Sequence, residues 1–299
     1  MDTVLITGTT SGIGKAFAEK FASRGNNIVL VSRNRDKLQH QQIDLQSRYQ
    51  VSVKYIPCDL TEVNAADTIM EKIRSWGLPV DVLINNAGFN EAGGFTNTDL
   101  TKELDMIQIH IKALTALTKI FLPGMIERRR GRILNVGSTG SYMPCPNDSV
   151  YAATKAYVLS FSNGLYQELK GTGVTVTCLC PGATQTLFAE KANINNTLLF
   201  KLFVMQPEVV AAIGYNNLQR GKRVVTAGLY NKLLVLSAKL LPVSIINPIA
   251  QWMVKSSIYS GPSGQKSNHI PGDSPPASAA LPCENSDPAS GSLPDRIHR

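Results

Sequence analysis

Along residues 1–227 the apolar positions switch repeatedly between two rhythms. Short, nearly continuous apolar runs, many rich in valine and isoleucine, occur at Thr3–Thr7, Ile28–Val31, Val51–Ile56, Val80–Ile84, Ile133–Val136, Val174–Leu179 and Arg223–Thr226. Such runs, closed by polar or glycine-rich turns, read as strands buried on both faces. Between them, apolar residues return every three or four positions. The first such stretch follows Gly14 through Ala16, Phe17 and Phe21 to Gly25, and others begin near Asp36 and span roughly 62–76, 99–128, 148–171 and 207–220. These read as helices, and Pro207 suits the first turn of the last. Strand and helix alternating in this way predict an α/β fold built on a doubly wound parallel sheet.

The stretch 99–128 carries apolar residues around much of its girth, at Leu104, Ile107, Ile111, Leu114, Leu117, Phe121 and Leu122. It is expected to pack on more than one side, within the chain or against another copy, and a homo-oligomer, dimer or tetramer, is the expected assembly. Residues 228–255 are apolar but interrupted by Lys232, Lys239, Pro242 and Pro248, which makes a poor membrane span. A helical pair packed on the preceding domain is preferred to an interfacial membrane anchor. In the last 44 residues, 256–299, 21 are Ser, Pro or Gly, so this tail is expected to be disordered. The organisation is therefore one catalytic domain over 1–227, a helical extension over 228–255 and a tail.

Composition narrows the class. The five cysteines match no zinc or disulfide spacing and the four histidines form no cluster, so no metal is expected. Met1-Asp2-Thr3 leads straight into a strand without a basic, cleavable leader, and a cytoplasmic location follows as the expectation. The net charge of +8 invites a nucleic-acid reading, but its densest run, Arg128-Arg129-Arg130-Gly131-Arg132, has no interleaved aromatics. A solvated turn is the better reading, and no nucleic-acid partner is expected.

The candidate chemistry sits where strands end. Gly8-Thr9-Thr10-Ser11-Gly12-Ile13-Gly14 joins the first strand to the first helix, the layout in which glycines admit a pyrophosphate to a helix N-terminus. At the end of the second strand, where an acidic residue would bind the ribose of NAD, stand Arg33 and Arg35. Positive charge there suits the 2′-phosphate of NADP(H), although both arginines could simply be solvated. Asp59 and Leu60 follow the third strand, and Asp59 could meet the adenine amine or cap a helix. Asn86-Ala87-Gly88 ends the fourth strand and allows close backbone approach. Tyr151 and Lys155, four apart on one helix, can hold a phenol beside an ammonium, which is expected to lower the phenol's pKa. Ser138, in the loop after the fifth strand, reads as a hydrogen-bond donor, because no G-x-S-x-G elbow or histidine partner accompanies it.

In order and spacing, Thr7 to Gly14, Asn85 to Gly88, Ser138, Tyr151-x-x-x-Lys155 and Pro181-Gly182 resemble the short-chain dehydrogenase/reductase superfamily over roughly residues 1–255. The runs Phe121 to Met125 and Tyr151 to Phe161 look like its bacterial members acting on carbonyl compounds. The resemblance implies a seven-stranded Rossmann sheet and hydride transfer between nicotinamide and a carbonyl or alcohol carbon. It implies Tyr151 as the acid, Lys155 on the nicotinamide ribose, Ser138 on the substrate oxygen, and Pro181, Gly182, Thr184 and Thr186 near the nicotinamide. It also implies that the apolar segment within about 184–206 is a lid over a lipophilic substrate. One residue departs from the pattern: His110 stands where the family usually has asparagine. A histidine there could keep the backbone carbonyl's role or alter the proton relay. The expected activity is reduction of a lipophilic ketone, aldehyde or oxoacyl group with NADP(H). Oxidation of a hydroxysteroid or lipid alcohol, or a non-catalytic NADP(H)-binding regulatory role, are the alternatives.

Overall fold

The computed structural model of the chain describes residues 1–186 and 204–254. Seven strands form one parallel sheet: β1 (Thr3–Thr7), β2 (Asn27–Ser32), β3 (Val53–Pro57), β4 (Val82–Asn85), β5 (Gly131–Val136), β6 (Val174–Cys180) and β7 (Val224–Thr226). Their order is β3-β2-β1-β4-β5-β6-β7. The central strand β1 is buried at all five positions, which is why its sequence shows no polar alternation. It pairs with β2 on one side and β4 on the other, Leu5 lying opposite both Val29 and Leu83. Crossovers reverse direction here, so the loops leaving β1 and β4 diverge into a crevice.

Helices cover both faces. On one, α1 (Gly12–Ala22), α2 (Arg35–Tyr49) and a helix over Pro207–Gln219, α7, bury Phe17, Phe21, Leu38, Leu45, Val210 and Leu218. On the other, α3 (Ala65–Ser75), the pair α4 (Leu100–Ile107) and α5 (Leu114–Glu127), and α6 (Ser149–Glu168) enclose Ile69, Ile73, Leu117, Phe121 and Val158. Two further helices, α8 (Leu229–Leu240) and α9 (Val243–Val254), follow β7. The lid core at 187–203 and the tail lie outside the described residues. Thr184 and Met205, which flank the former, pair as a short parallel bridge.

Most elements fall where the periodicity places them. Strands β3 and β4 begin two residues later than expected, at Val53 and Val82, because Val51 and Val80 are buried without joining the ladder. Burial is what hydropathy reports, whereas pairing needs register as well. The long helix is also not uniform. Asp99 caps it through Thr101 N and Lys102 N, at 2.8 and 3.2 Å, and a π-helical turn over Gln108–Ala113 separates α4 from α5. The run Leu100–Glu127 is long and apolar enough to cross a membrane, yet Met106, Leu114, Leu117, Phe121 and Met125 are buried in the protein. Burial within the chain thus accounts for its C-terminal half. Leu100 and Leu104 remain 67% and 56% exposed.

The arginine run is more than a solvated turn. Arg128 donates to the Val80 carbonyl at 3.0 Å, Arg129 to the Gly171 carbonyl at 3.2 Å, and Arg130 and Arg132 both pair with Asp2. It ties the turn before β5 to neighbouring turns, which leaves a structural use for the densest charge in the chain.

The α1–α7 contact depends on Gly214: a Cβ there would lie 2.6 Å from Phe17 Cζ and 2.9 Å from Leu179 Cδ2. Phe17→Ala is expected to destabilise the fold by about 3–5 kcal/mol, and Gly214→Ala by about 1–3 kcal/mol. In the Phe17→Ala background the added methyl gains space, so the Gly214→Ala penalty should shrink in a denaturant double-mutant cycle. Equal penalties in both backgrounds would refute this account of the contact.

Candidate active site

The turn after β1 is held in a backbone shape that few side chains tolerate. Gly8 and Gly12 have φ of +73° and +54°, and a Cβ on Gly8 would meet Ala87 Cα at 2.8 Å. A Cβ on Gly14 would fall on the Gly8 carbonyl oxygen and Asn86 Nδ2. Gly12 and Gly14 bring the start of α1 under the turn, so the helix's first free N–H groups face the crevice. The Thr7 hydroxyl accepts from Asn86 N and Ala87 N, both at 3.0 Å, while Asn86 Nδ2 donates to the Thr7 and Gly8 carbonyls at 2.9 and 3.2 Å. The ends of β1 and β4 are thereby locked together.

A cleft of about 370 Å³ runs along these strand ends. Its wall includes Gly8, Thr10, Ser11, Gly12, Ile13, Arg33, Asp59, Leu60, Asn86, Ala87 and Gly88, and continues through Ser138, Tyr151, Lys155, Pro181, Gly182, Thr184 and Thr186. Nearly all the residues singled out from the sequence therefore converge. Three do not line it. Gly14 lies beneath the turn, and its contribution is close packing. Arg35 opens α2, whose cap is Asn34 accepting from Lys37 N at 2.9 Å. It fits the solvated reading, while Arg33 alone reaches the cleft. His110 is 1% exposed behind the wall, where it lines a small void of about 10 Å³ together with Lys155, Asn85 and Thr7.

Asp59 serves its own loop, accepting from Thr61 N and Thr61 Oγ1 at 3.1 and 3.0 Å. Its other oxygen stands 3.7 Å from Arg33. It does not cap α3, which begins six residues later behind Asn64. Thr186 packs on the glycine turn, its Cγ2 lying 2.7 Å from where a Gly12 Cβ would be.

At the other end of the cleft, Ser138 begins a short 3₁₀ turn and accepts from Gly140 N at 3.1 Å, with Ser141 completing a reciprocal cap. Ser138 is also hydrogen-bonded to Tyr151. The Lys155 ammonium donates to the Val136 carbonyl at 3.0 Å and lies 5.6 Å from the Tyr151 ring centre. Burial lowers Lys155 to about 8. The expected depression of the Tyr151 pKa is not found. Burial raises it above the usual phenol value, and the Ser138 hydrogen bond only partly opposes that. A buried phenolate loses more hydration than the nearby groups return, so the group is held as a phenol.

The tautomer of His110 follows from its neighbours. Thr154 Oγ1 donates to the Tyr151 carbonyl at 2.8 Å and so has no proton left for His110 Nδ1, 2.9 Å away. Nδ1 must carry the hydrogen and donate to Thr154. Burial and the charge of Lys155 push the imidazole well below its ordinary pKa, so it remains neutral. His110 thus braces the helical turn that carries Tyr151, from which its ring centre is 5.8 Å away.

Several site residues were not marked by the sequence, among them Thr118, Asn135 and Ser162. Asn85, which opens the Asn85 to Gly88 motif, donates to Thr118 Oγ1 and Asn135 Oδ1 at 3.1 and 2.9 Å, and Asn135 passes the chain on to Ser162 at 2.9 Å. These polar residues at positions that read as core were the available signal. Asp148, noted only as a helix start, lines the cleft with Asn90, which donates to it at 2.9 Å. Burial pushes the Asp148 carboxyl up to about 7.

A glycine-turn cleft of this kind, lying at the strand ends of a parallel α/β sheet and closing on a buried lysine and a hydrogen-bonded serine–tyrosine pair, has the features of a nucleotide-binding site. The family profile described as short chain dehydrogenase matches residues 2–197, and the chain belongs to that family. Very-long-chain 3-oxoacyl-CoA reductase of Mus musculus is 37% identical over 196 residues, 62% of this chain and 60% of the relative. The chain spans about three fifths of the length of the first curated relatives it matches. Among solved structures, a short-chain dehydrogenase from Sphingobium yanoikuyae in complex with NADPH aligns with a TM-score of 0.72 and 29% identity, over 90% of this chain and 99% of that one. A bulky-bulky ketone specific alcohol dehydrogenase from Comamonas testosteroni aligns with a TM-score of 0.68 and 29% identity, over 80% and 93%.

Two measurements test this geometry. His110→Asn should lower the melting temperature by losing the Thr154 bond, yet leave the apparent pKa values of the pH–rate profile in place, because the imidazole stays neutral across that range. A profile shifted by this substitution would instead make His110 part of the proton relay. For Asp148 the folded pKa lies above the unfolded value of about 3.9, so the folded state holds more protons between there and pH 7 and loses stability as pH rises through that window. Asp148→Asn should therefore raise the melting temperature relative to the parent at pH 8 and not at pH 4. An equal effect at both values would remove the carboxyl as the cause.

Proposed function

We propose that this chain is an NADP(H)-dependent reductase of lipophilic ketones or oxoacyl groups. The observation that carries the reading is the Tyr151 phenol, held protonated and hydrogen-bonded to Ser138 at one end of a cleft whose other end is a glycine turn and Arg33. Gly8 and Gly12 have the positive φ and the close backbone approach that a pyrophosphate cradle needs, and the start of α1 stands below them. At the adenosine end, Arg33 offers a half-free guanidinium, since its pairing with Asp59 is long and solvent-exposed. These features fit NADP(H), whose nicotinamide would supply the hydride, and they agree with the NADPH in the Sphingobium relative.

In this proposal Ser138 holds the substrate carbonyl oxygen and Tyr151 donates the proton that oxygen needs as it becomes an alkoxide. A phenol whose pKa is raised is in the protonated form that the carbonyl oxygen needs, and reduction as the working direction rests on the NADP(H) reading. Lys155 holds the ribose beside the nicotinamide, and its charge, costly in this buried position, is most useful once the tyrosine has lost its proton. The Val136 carbonyl holds the Lys155 ammonium, and His110 braces the turn that carries Tyr151 through Thr154. The relatives, an oxoacyl-CoA reductase and a bulky-ketone enzyme, support a substrate with a large apolar body.

The test is NADPH consumption by the purified chain on a panel of aliphatic, aromatic, steroid and oxoacyl-thioester carbonyls. Turnover should appear on at least one bulky carbonyl and fall by about 10²-fold or more in Tyr151→Phe. Arg33→Asp should reduce the preference for NADPH over NADH by about tenfold, the loss of one charge-assisted contact. Tight NADPH binding without turnover on any of these carbonyls would favour the regulatory reading, and an unchanged preference in Arg33→Asp would overturn the cofactor assignment.

A further inference from the structure

Helix α8 is two-faced. Inward, Asn231 and Val235 are buried, Asn231 donates to the Ala227 carbonyl at 2.6 Å, and Leu234 forms part of the cleft wall, as does Ala250 of α9. Outward, Leu229, Leu233, Leu236 and Leu240 form one stripe at spacings of four, three and four, and they are 75%, 56%, 52% and 73% exposed. The stripe continues through Leu241, Val243 and Ile245 at the start of α9, all more than 40% exposed. A single exposed leucine is ordinary, but a contiguous row of seven large apolar side chains marks a surface that meets something.

The charges around it indicate what. Residues 228–255 contain Lys232, Lys239 and Lys255 and not one aspartate or glutamate. An apolar stripe whose own segment carries only cations, Lys239 among them lying 5.1 Å over the Tyr142 ring, has the chemistry of an amphipathic segment seated in an anionic lipid surface. Each helix is 12 residues long, too short to cross the roughly 30 Å hydrocarbon core, so the fit is to the surface alone. A second copy is the poorer occupant: two-fold pairing of this face would bring together two segments whose own charges are all lysines.

We propose that the outer face of α8 and the start of α9 dock the enzyme on an anionic membrane surface, so that a lipophilic carbonyl substrate reaches the cleft from the lipid layer past Leu234 and Ala250. This deepens the reductase reading and rests on it for the substrate. The docking itself is read without any turnover.

The full chain is mixed with sedimenting vesicles of phosphatidylcholine alone or with added phosphatidylserine, and the bound fraction is measured. Binding is expected on the phosphatidylserine vesicles, weakened by salt, reduced about fivefold in Lys232→Glu and about tenfold or more in Leu233→Asp/Leu236→Asp. The double variant should keep the parent's NADPH consumption on a water-soluble ketone, which shows that it folds. The docking proposal is overturned if the parent stays in the supernatant with both vesicles or the folded double variant binds like the parent. It is likewise overturned if the parent forms a lipid-free dimer by analytical ultracentrifugation that the double variant dissolves, because the stripe is then a subunit interface. Vesicle binding with no turnover on any carbonyl would leave docking standing and remove the reductase reading.

Discussion

The Thr7 hydroxyl is the constraint on which the rest of the site depends. It accepts the backbone N–H groups of Asn86 and Ala87, and so joins the carboxyl ends of β1 and β4 where the sheet's crossovers change direction. Asn86 returns the bond through its amide to the carbonyls of Thr7 and Gly8. With both ends tied, the glycine turn has no freedom to sag into the crevice, and α1 begins under it in one position. Part-buried hydrogen bonds of this kind are individually modest, but leaving any of these donors unpaired would cost more than forming the bond returns.

The reacting end is organised by a second set of buried polar contacts. Asn85, Asn135, Thr118 and Ser162 form a chain between β4, β5, α5 and α6, while His110 and Thr154 brace the turn that carries Tyr151. The π-helical turn at Gln108–Ala113 accompanies His110's burial beside α6. An imidazole here is compatible with the site because it is neutral and has a fixed tautomer. The substitution of the family's usual asparagine thus leaves a structural duty that the side chain itself performs.

The C-terminal helices link this chemistry to the exterior. The inner face of α8 closes on Pro181-Gly182, where a Cβ on Gly182 would fall on Asn231, and its outer face presents leucines to solvent. Twelve residues therefore have two separate apolar obligations. Hydropathy along this stretch alone does not separate them, since both faces read as apolar.

Much was legible in the sequence because parallel strands buried on both faces leave continuous apolar runs, and because glycine turns and the Tyr151–Lys155 spacing are local features. Element order, the cleft's position at strand ends and most of its lining residues follow from these. Other facts are nonlocal. Register excluded Val51 and Val80 from their strands, Arg35 falls in the first turn of α2 and does not line the cleft, and an asparagine on one strand acquired its partners from two other elements. The protonation of Tyr151 belongs to the same class. Spacing places a cation beside the phenol, but the pKa depends on how much water the whole fold removes, and here desolvation dominates, opposed by the Ser138 hydrogen bond. Sequence determined which groups could meet, through period and spacing along one chain; tertiary structure decided their burial, partners and charge, because those depend on atoms that the chain brings from elsewhere.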